Sequence, residues 1–129
     1  MASTFPAAAT PAGALTDRVQ SLFSYLGTTL VGNLLGALVL AWLFWGVAPH
    51  SRVTGWVIGF SVVWFWRLWL AIAYRRAAPT DDAANGRWLT LWNLGTLGSA
   101  VVWGAAAWLF FGTGGSLHQV VLVLVIYSY

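Results

Sequence analysis

Cysteine, lysine and glutamate are all missing from this 129-residue chain, and charged residues make up only 7% of it. Without cysteine there are no disulfides, no thiolate metal ligands and no cysteine nucleophile. Without lysine there is no phosphate-binding glycine loop of the usual kind. Without glutamate the only carboxylates are Asp17, Asp81 and Asp82, so paired-carboxylate acid–base catalysis has almost nothing to work with. No nucleophile stands at a suggestive spacing from a base, and these residues are expected to be non-catalytic.

What the chain has instead is apolar surface. Hydrophobic residues make up 60% of it and the mean hydropathy is +0.77, whereas a soluble domain carries about a quarter of its residues charged. A soluble fold would have no polar exterior to put around such a core, so the solvent expected is lipid. The net charge of +3 comes from six arginines spread along the chain near predicted helix ends. Phosphate tracking needs basic residues clustered on one water-facing side, so a nucleic-acid partner is not expected.

A membrane helix takes roughly 20 mostly apolar residues. Three stretches satisfy this, at about 26–47, 53–74 and 88–111, and a fourth apolar run covers 117–129. The fourth, "LHQVVLVLVIYSY", would reach only about 20 Å at 1.5 Å per residue, against about 30 Å of hydrocarbon. Either the chain continues or a partner protein caps this incomplete helix. The fold class expected is therefore an all-α integral membrane bundle of three full spans and a partial fourth.

Residues 1–14, rich in alanine, proline and threonine, read as a disordered tail, and 15–129 as the helical domain. No basic region followed by an apolar one marks a cleaved signal peptide. Leu15, Val19, Leu22, Phe23, Leu26 and Leu30 follow helical spacing, which predicts an amphipathic interfacial helix leading into the first span, with Thr16 as its N-cap. Arg18, Arg75, Arg76 and Arg87 fall on one side and Arg52 on the other, so the positive-inside rule puts the N-terminus and the 75–87 loop in the cytoplasm.

Each full span carries one strongly polar side chain: Asn33, Arg67 and Asn93. Their similar depths make them a candidate intramembrane cluster. Side chains lean toward the N-terminus of their helix, which points Arg67 away from the nearer surface and toward an internal partner. The amide oxygens of Asn33 and Asn93 are the candidate acceptors, with Trp64, one turn away, for a cation–π contact; contact with an anionic ligand, lipid phosphate or another chain stays open.

Among ten tryptophans, Trp42, Trp45, Trp56 and Trp108 read as one interfacial belt and Trp88 and Trp92 as the other, while Trp64, Trp66, Trp69 and Trp103 lie deeper. Small residues one turn apart, at Gly32 and Gly36, Gly55 and Gly59, and Gly95 and Ser99, mark faces for close helix packing, within the bundle or against a second chain. His50 and His118 have no cysteine or carboxylate near them to complete a metal site, so neither metal nor cofactor is expected.

The stretches "NLLGALVLAWLFWGVAPH", "RLWLAIAYRRAAPTDD", "GSAVVWGAAAWLFF" and "SLHQVVLVLVIYSY" together resemble the N-terminal multi-span membrane domain of bacterial sensor histidine kinases, hybrid kinases and diguanylate cyclases. The resemblance implies a sensory and anchoring input module in the bacterial inner membrane, attached to a cytoplasmic signalling domain. It supplies no ligand-binding positions, and no phosphoacceptor, ATP-binding or cyclase motif is present. The alternative function is that of a small accessory subunit of a photosynthetic or respiratory complex. Expected partners are the lipid bilayer and other membrane chains or a second copy.

Overall fold

Long apolar runs with few helix breakers fold as helices whether or not one face is polar, because lipid leaves every backbone group to be satisfied within its own segment. The computed structural model describes residues 14–128 and holds four helices: α1 (Ala14–Trp45), α2 (His50–Ala77), α3 (Asp82–Phe110) and α4 (Ser116–Tyr127). They run alternately up and down. The first three are long and apolar enough to cross a membrane, and α4 is shorter. The protein is an all-α membrane bundle.

Several boundaries differ from the expectation. The amphipathic segment and the first span are one continuous helix, α1, starting at Ala14, and residues 1–13 of the expected tail lie outside the described residues. Val19, Phe23, Leu26 and Leu30 are buried against α2 and α3. The apolar stripe therefore meets other helices, not a lipid interface. Thr16 lies inside the helix rather than capping it, and its hydroxyl donates to Asp82 Oδ1 at 2.9 Å.

The expected polar loop is also shorter. α2 runs to Ala77; Ala78 then takes a left-handed conformation (φ 41°) with its N–H on the Tyr74 carbonyl, and Pro79 follows. Asp81 caps α3 by accepting the Ala84 N–H, so "DAANGR" forms the first turns of that helix and not a loop. At the opposite end, Gly112 (φ 78°) and Gly114 (φ 80°) make the turn into α4. Gln119 stitches this turn, accepting from the Gly112 N–H and donating to the Thr113 carbonyl.

α1, α2 and α3 pack mutually, while α4 leans on α1 and α3 and fully buries only Leu122. The interior divides into two apolar clusters. One, near the start of α1, stacks Phe23 on Tyr74 (centroids 3.9 Å apart) with Trp88 and Trp92 edge-on. The other gathers Leu40, Phe44, Trp56, Phe60, Trp103 and Phe110. Large apolar side chains such as Leu35, Leu38, Ile58, Val62, Leu97 and Val101 cover the outside, while the buried polar residues are Asn33, Arg67 and Asn85. Polar-in and apolar-out is the arrangement lipid imposes.

Trp42 and Trp108 are about four-fifths exposed, as a belt requires, but Trp56, expected beside them, is 4% exposed in the core. Its indole N–H donates to the Val102 carbonyl at 2.9 Å, which removes the reason to seek the interface.

Candidate functional site at the bundle centre

Along α1, α2 and α3 alike, the two apolar clusters are separated by one polar position or more: Asn33, Arg67, and Gly95 with Ser99. This layer is the candidate site. Arg67 lies ten residues before the end of α2, roughly 15 Å along its axis, and is 7% exposed. It does not snorkel. Its Nη1 donates to Ser99 Oγ at 2.9 Å, and Ser99 in turn donates to the Gly95 carbonyl at 3.1 Å.

Gly95 makes this approach possible. A Cβ there would stand 3.3 Å from Arg67 Cγ, so the bare backbone gives the arginine stem a surface to lie on. Trp92, one turn earlier on α3, places its ring 5.6 Å from the guanidinium carbon for a cation–π contact.

Beside this pair, Asn33 donates to the Thr29 carbonyl and accepts the Trp103 indole N–H, both at 2.9 Å. Trp64 donates to the Leu30 carbonyl at 2.9 Å. Each pair of long helices is thus tied by a tryptophan: Trp64 joins α2 to α1, Trp56 joins α2 to α3, and Trp103 joins α3 to α1. Of the tryptophans expected to lie deep, Trp64 and Trp103 act as ties between helices, while Trp66 and Trp69 are exposed. An indole brings a large apolar body and one donor that reaches a carbonyl on the next helix.

Of the expected cluster, the structure brings together Asn33, Arg67 and Trp64, which line one small cavity with Ser99 and Trp103. Asn93 is excluded. It lies two residues before Gly95, about 200° around the helix, so the rotation that turns Gly95 and Ser99 inward turns Asn93 to the exposed side. Ser99, not Asn33, is the acceptor for Arg67, the Asn33 oxygen taking the Trp103 indole N–H, and the cation–π partner is Trp92 rather than Trp64.

The packing glycines divide in the same way. Gly36 is buried and Gly32 half-buried on α1, and Gly95 and Ser99 form the α2–α3 contact, where Gly98 also rests on Val63. Gly55 and Gly59 are exposed, and a Cβ on either would meet nothing within 4 Å. That face of α2 takes no part in packing among the described residues.

Comparison with protein-family models, with curated proteins and with solved structures finds no match to this chain. The chemistry of the site is that of its own residues.

That chemistry is donor-rich and carries no base. All three carboxylates of the chain lie near the starts of α1 and α3, away from Arg67. The arrangement can act as a polar latch between helices.

A second polar cluster was not read from the sequence. Asn85, fully buried, accepts from the Tyr74 hydroxyl and donates to Thr16 Oγ1 and the Asp81 carbonyl, tying the ends of all three long helices. The signal available was Asp81 as a cap with Asn85 one turn on, hidden by reading 75–87 as a loop. At the far end His50 stacks on Trp45 and His118 sits edge-on to Phe44, with its Nδ1 buried and without a hydrogen-bond partner.

Proposed function

We propose that this chain is a membrane-embedded sensory and anchoring input module of a bacterial signalling protein, seated in the inner membrane with its N-terminus in the cytoplasm and performing no catalysis itself. The observation that carries the reading is the polar layer. A buried charge held by one hydroxyl and one aromatic face, at a seam between two well-packed apolar clusters, is a contact that can be made or released by a small rotation of α2 against α3. Such a contact is what a two-state signalling element requires. α4, which fully buries only Leu122, is the element freest to follow that rotation and pass it on.

The likeness to sensor kinase and diguanylate cyclase input domains points the same way, as does the grouping of four arginines at one end. The test is the intact mass of the native protein from its source membrane, with peptide mapping of its C-terminal end. A mass well above 14.0 kDa that includes a cytoplasmic kinase or cyclase domain supports the reading. A mass near that value, in a stable complex with other subunits, overturns it in favour of an accessory structural subunit. That second reading draws on Asn93, Gly55 and Gly59, which face outward as contacts to neighbouring chains would.

A further inference from the structure

At the arginine-bearing end of the bundle, the first turns of α1, the end of α2 and the 78–80 turn border a cavity of about 620 Å³. Small-molecule sites run to about 300–1,000 Å³. The stacked rings of Phe23 and Tyr74 give the cavity an apolar side, and Thr16, Gln20 and Ser24, each one turn from the next on α1, give it a polar one. Arg75 and Thr80 join the lining from α2 and the turn.

Two of the hydroxyls are engaged, Thr16 donating to Asp82 and Ser24 to the Ser21 carbonyl. The side chains of Gln20, Arg75 and Thr80 are exposed and have no hydrogen-bond or ionic partner among the described residues. A guanidinium, an amide and a hydroxyl around one space are a donor set for an oxyanion, and the guanidinium fork matches the oxygens of a phosphate. Arg75 is the one charged residue in the lining; Asp82 belongs to α3 and is not part of it.

The surroundings say which phosphate. Arg75 and Arg76 close α2 where its apolar run ends, the level at which a spanning helix leaves the hydrocarbon. Along α1, Gln20, Ser24, Gly27, Val31, Leu35 and Leu38 follow one another at spacings of three and four and are all exposed, so one strip of the helix turns from polar beside the cavity to apolar beyond Gly27. A headgroup followed by an acyl chain has the same order.

We propose that this cavity holds the phosphodiester headgroup of one anionic phospholipid from the adjoining leaflet, with its phosphate on Arg75, Gln20 and Thr80 and an acyl chain along the Gly27–Leu38 strip. A zwitterionic headgroup would bring an ammonium for which the lining has no carboxylate. A free phosphate would leave most of the space and the apolar side uncovered. The assignment needs only the membrane bundle and holds whether or not the chain carries signals.

The test is native mass spectrometry of the full chain released from nanodiscs of equal parts phosphatidylglycerol and phosphatidylcholine with matched acyl chains. The expected result is one phosphatidylglycerol retained per chain in preference to phosphatidylcholine. Arg75→Gln should lower that retention about tenfold, as loss of a charge-assisted hydrogen-bonding group does. Arg18→Gln/Arg76→Gln, which removes exposed arginines at the same end that do not line the cavity, should leave it unchanged.

Should Arg75→Gln fail to fold, the lipid preference of the wild-type chain and its loss in Gln20→Leu/Thr80→Val decide. Equal retention of the two lipids, or retention that follows Arg18 and Arg76 instead of Arg75, overturns the proposal. So does displacement of the lipid by millimolar inorganic phosphate or glycerol phosphate, which would make the cavity a site for a soluble phosphate compound.

Discussion

Replacing Arg67 with methionine should stabilise the bundle. An arginine near the middle of a membrane helix costs about 2.5–3.5 kcal/mol on insertion scales. Against this, the contacts found are one hydrogen bond to Ser99 and one cation–π contact with Trp92. Hydrogen bonds between membrane helices are worth about 0.6 kcal/mol on average and about 1.7 at most. A cation–π contact adds about 0.5–1 kcal/mol at exposed sites and about 2 kcal/mol when desolvated, as it is beside the buried Arg67. The contacts nearly match the cost, and methionine refills the space of the stem with a flexible apolar side chain, which sets the expected gain at about 0.5 kcal/mol.

Ser99→Ala should act with the opposite sign. It leaves the charge in place and takes away its acceptor, which costs about 1–2 kcal/mol. The assay is unfolding in mixed micelles under increasing SDS, followed by tryptophan emission, with both single variants and the double variant. In the double variant the loss from Ser99→Ala should largely disappear, since there is no guanidinium left to satisfy. A methionine variant less stable than wild type by more than about 1 kcal/mol would refute the reasoning, because it would mean that Arg67 is a net structural asset.

Gly95→Leu should push the Arg67 stem off α3 and separate α2 from α3, seen as a loss of about 1–3 kcal/mol in the same unfolding assay and a changed accessibility of a cysteine introduced at Ser99. Asn85→Leu should cost about 1–3 kcal/mol by leaving the Tyr74 hydroxyl and Thr16 without their partner, and hydrogen exchange should rise first at the start of α3. Asp81→Ala should lose the α3 cap, worth about 1 kcal/mol, with the same local signature in exchange and a smaller amplitude. Gly55→Leu/Gly59→Leu should leave unfolding of the isolated chain within about 0.5 kcal/mol of wild type, since a Cβ at either position meets nothing within 4 Å among the described residues; a drop in chemical cross-linking between copies would locate a second chain there.

Asn93 and Ser99 show where reading the sequence stops. Both are polar residues on α3 at plausible depth, and the larger amide was the natural partner to choose for Arg67, yet the serine holds the guanidinium and the asparagine faces out. Gly95 with Ser99 was legible as a close-packing face, and it is one. That the same face carries the acceptor for Arg67 was not legible, because spacing reports proximity of backbones and not which side chain answers which.

The sequence by itself determined that the chain lives in lipid, that it does so as helices, how many of them are long enough to span, and that Arg67 would turn inward. Those follow from composition, from the length of apolar runs and from the cost of a charge in hydrocarbon, none of which depends on how helices pair. Which side chain meets which across each helix seam was decided only by the tertiary structure. In water a helix shows its buried face by an apolar stripe, but in lipid both faces are apolar and the periodicity falls silent. What turns the helices is a handful of fits between them: a tryptophan N–H on a neighbouring carbonyl, an arginine stem on a bare glycine, an asparagine oxygen taken by Trp103.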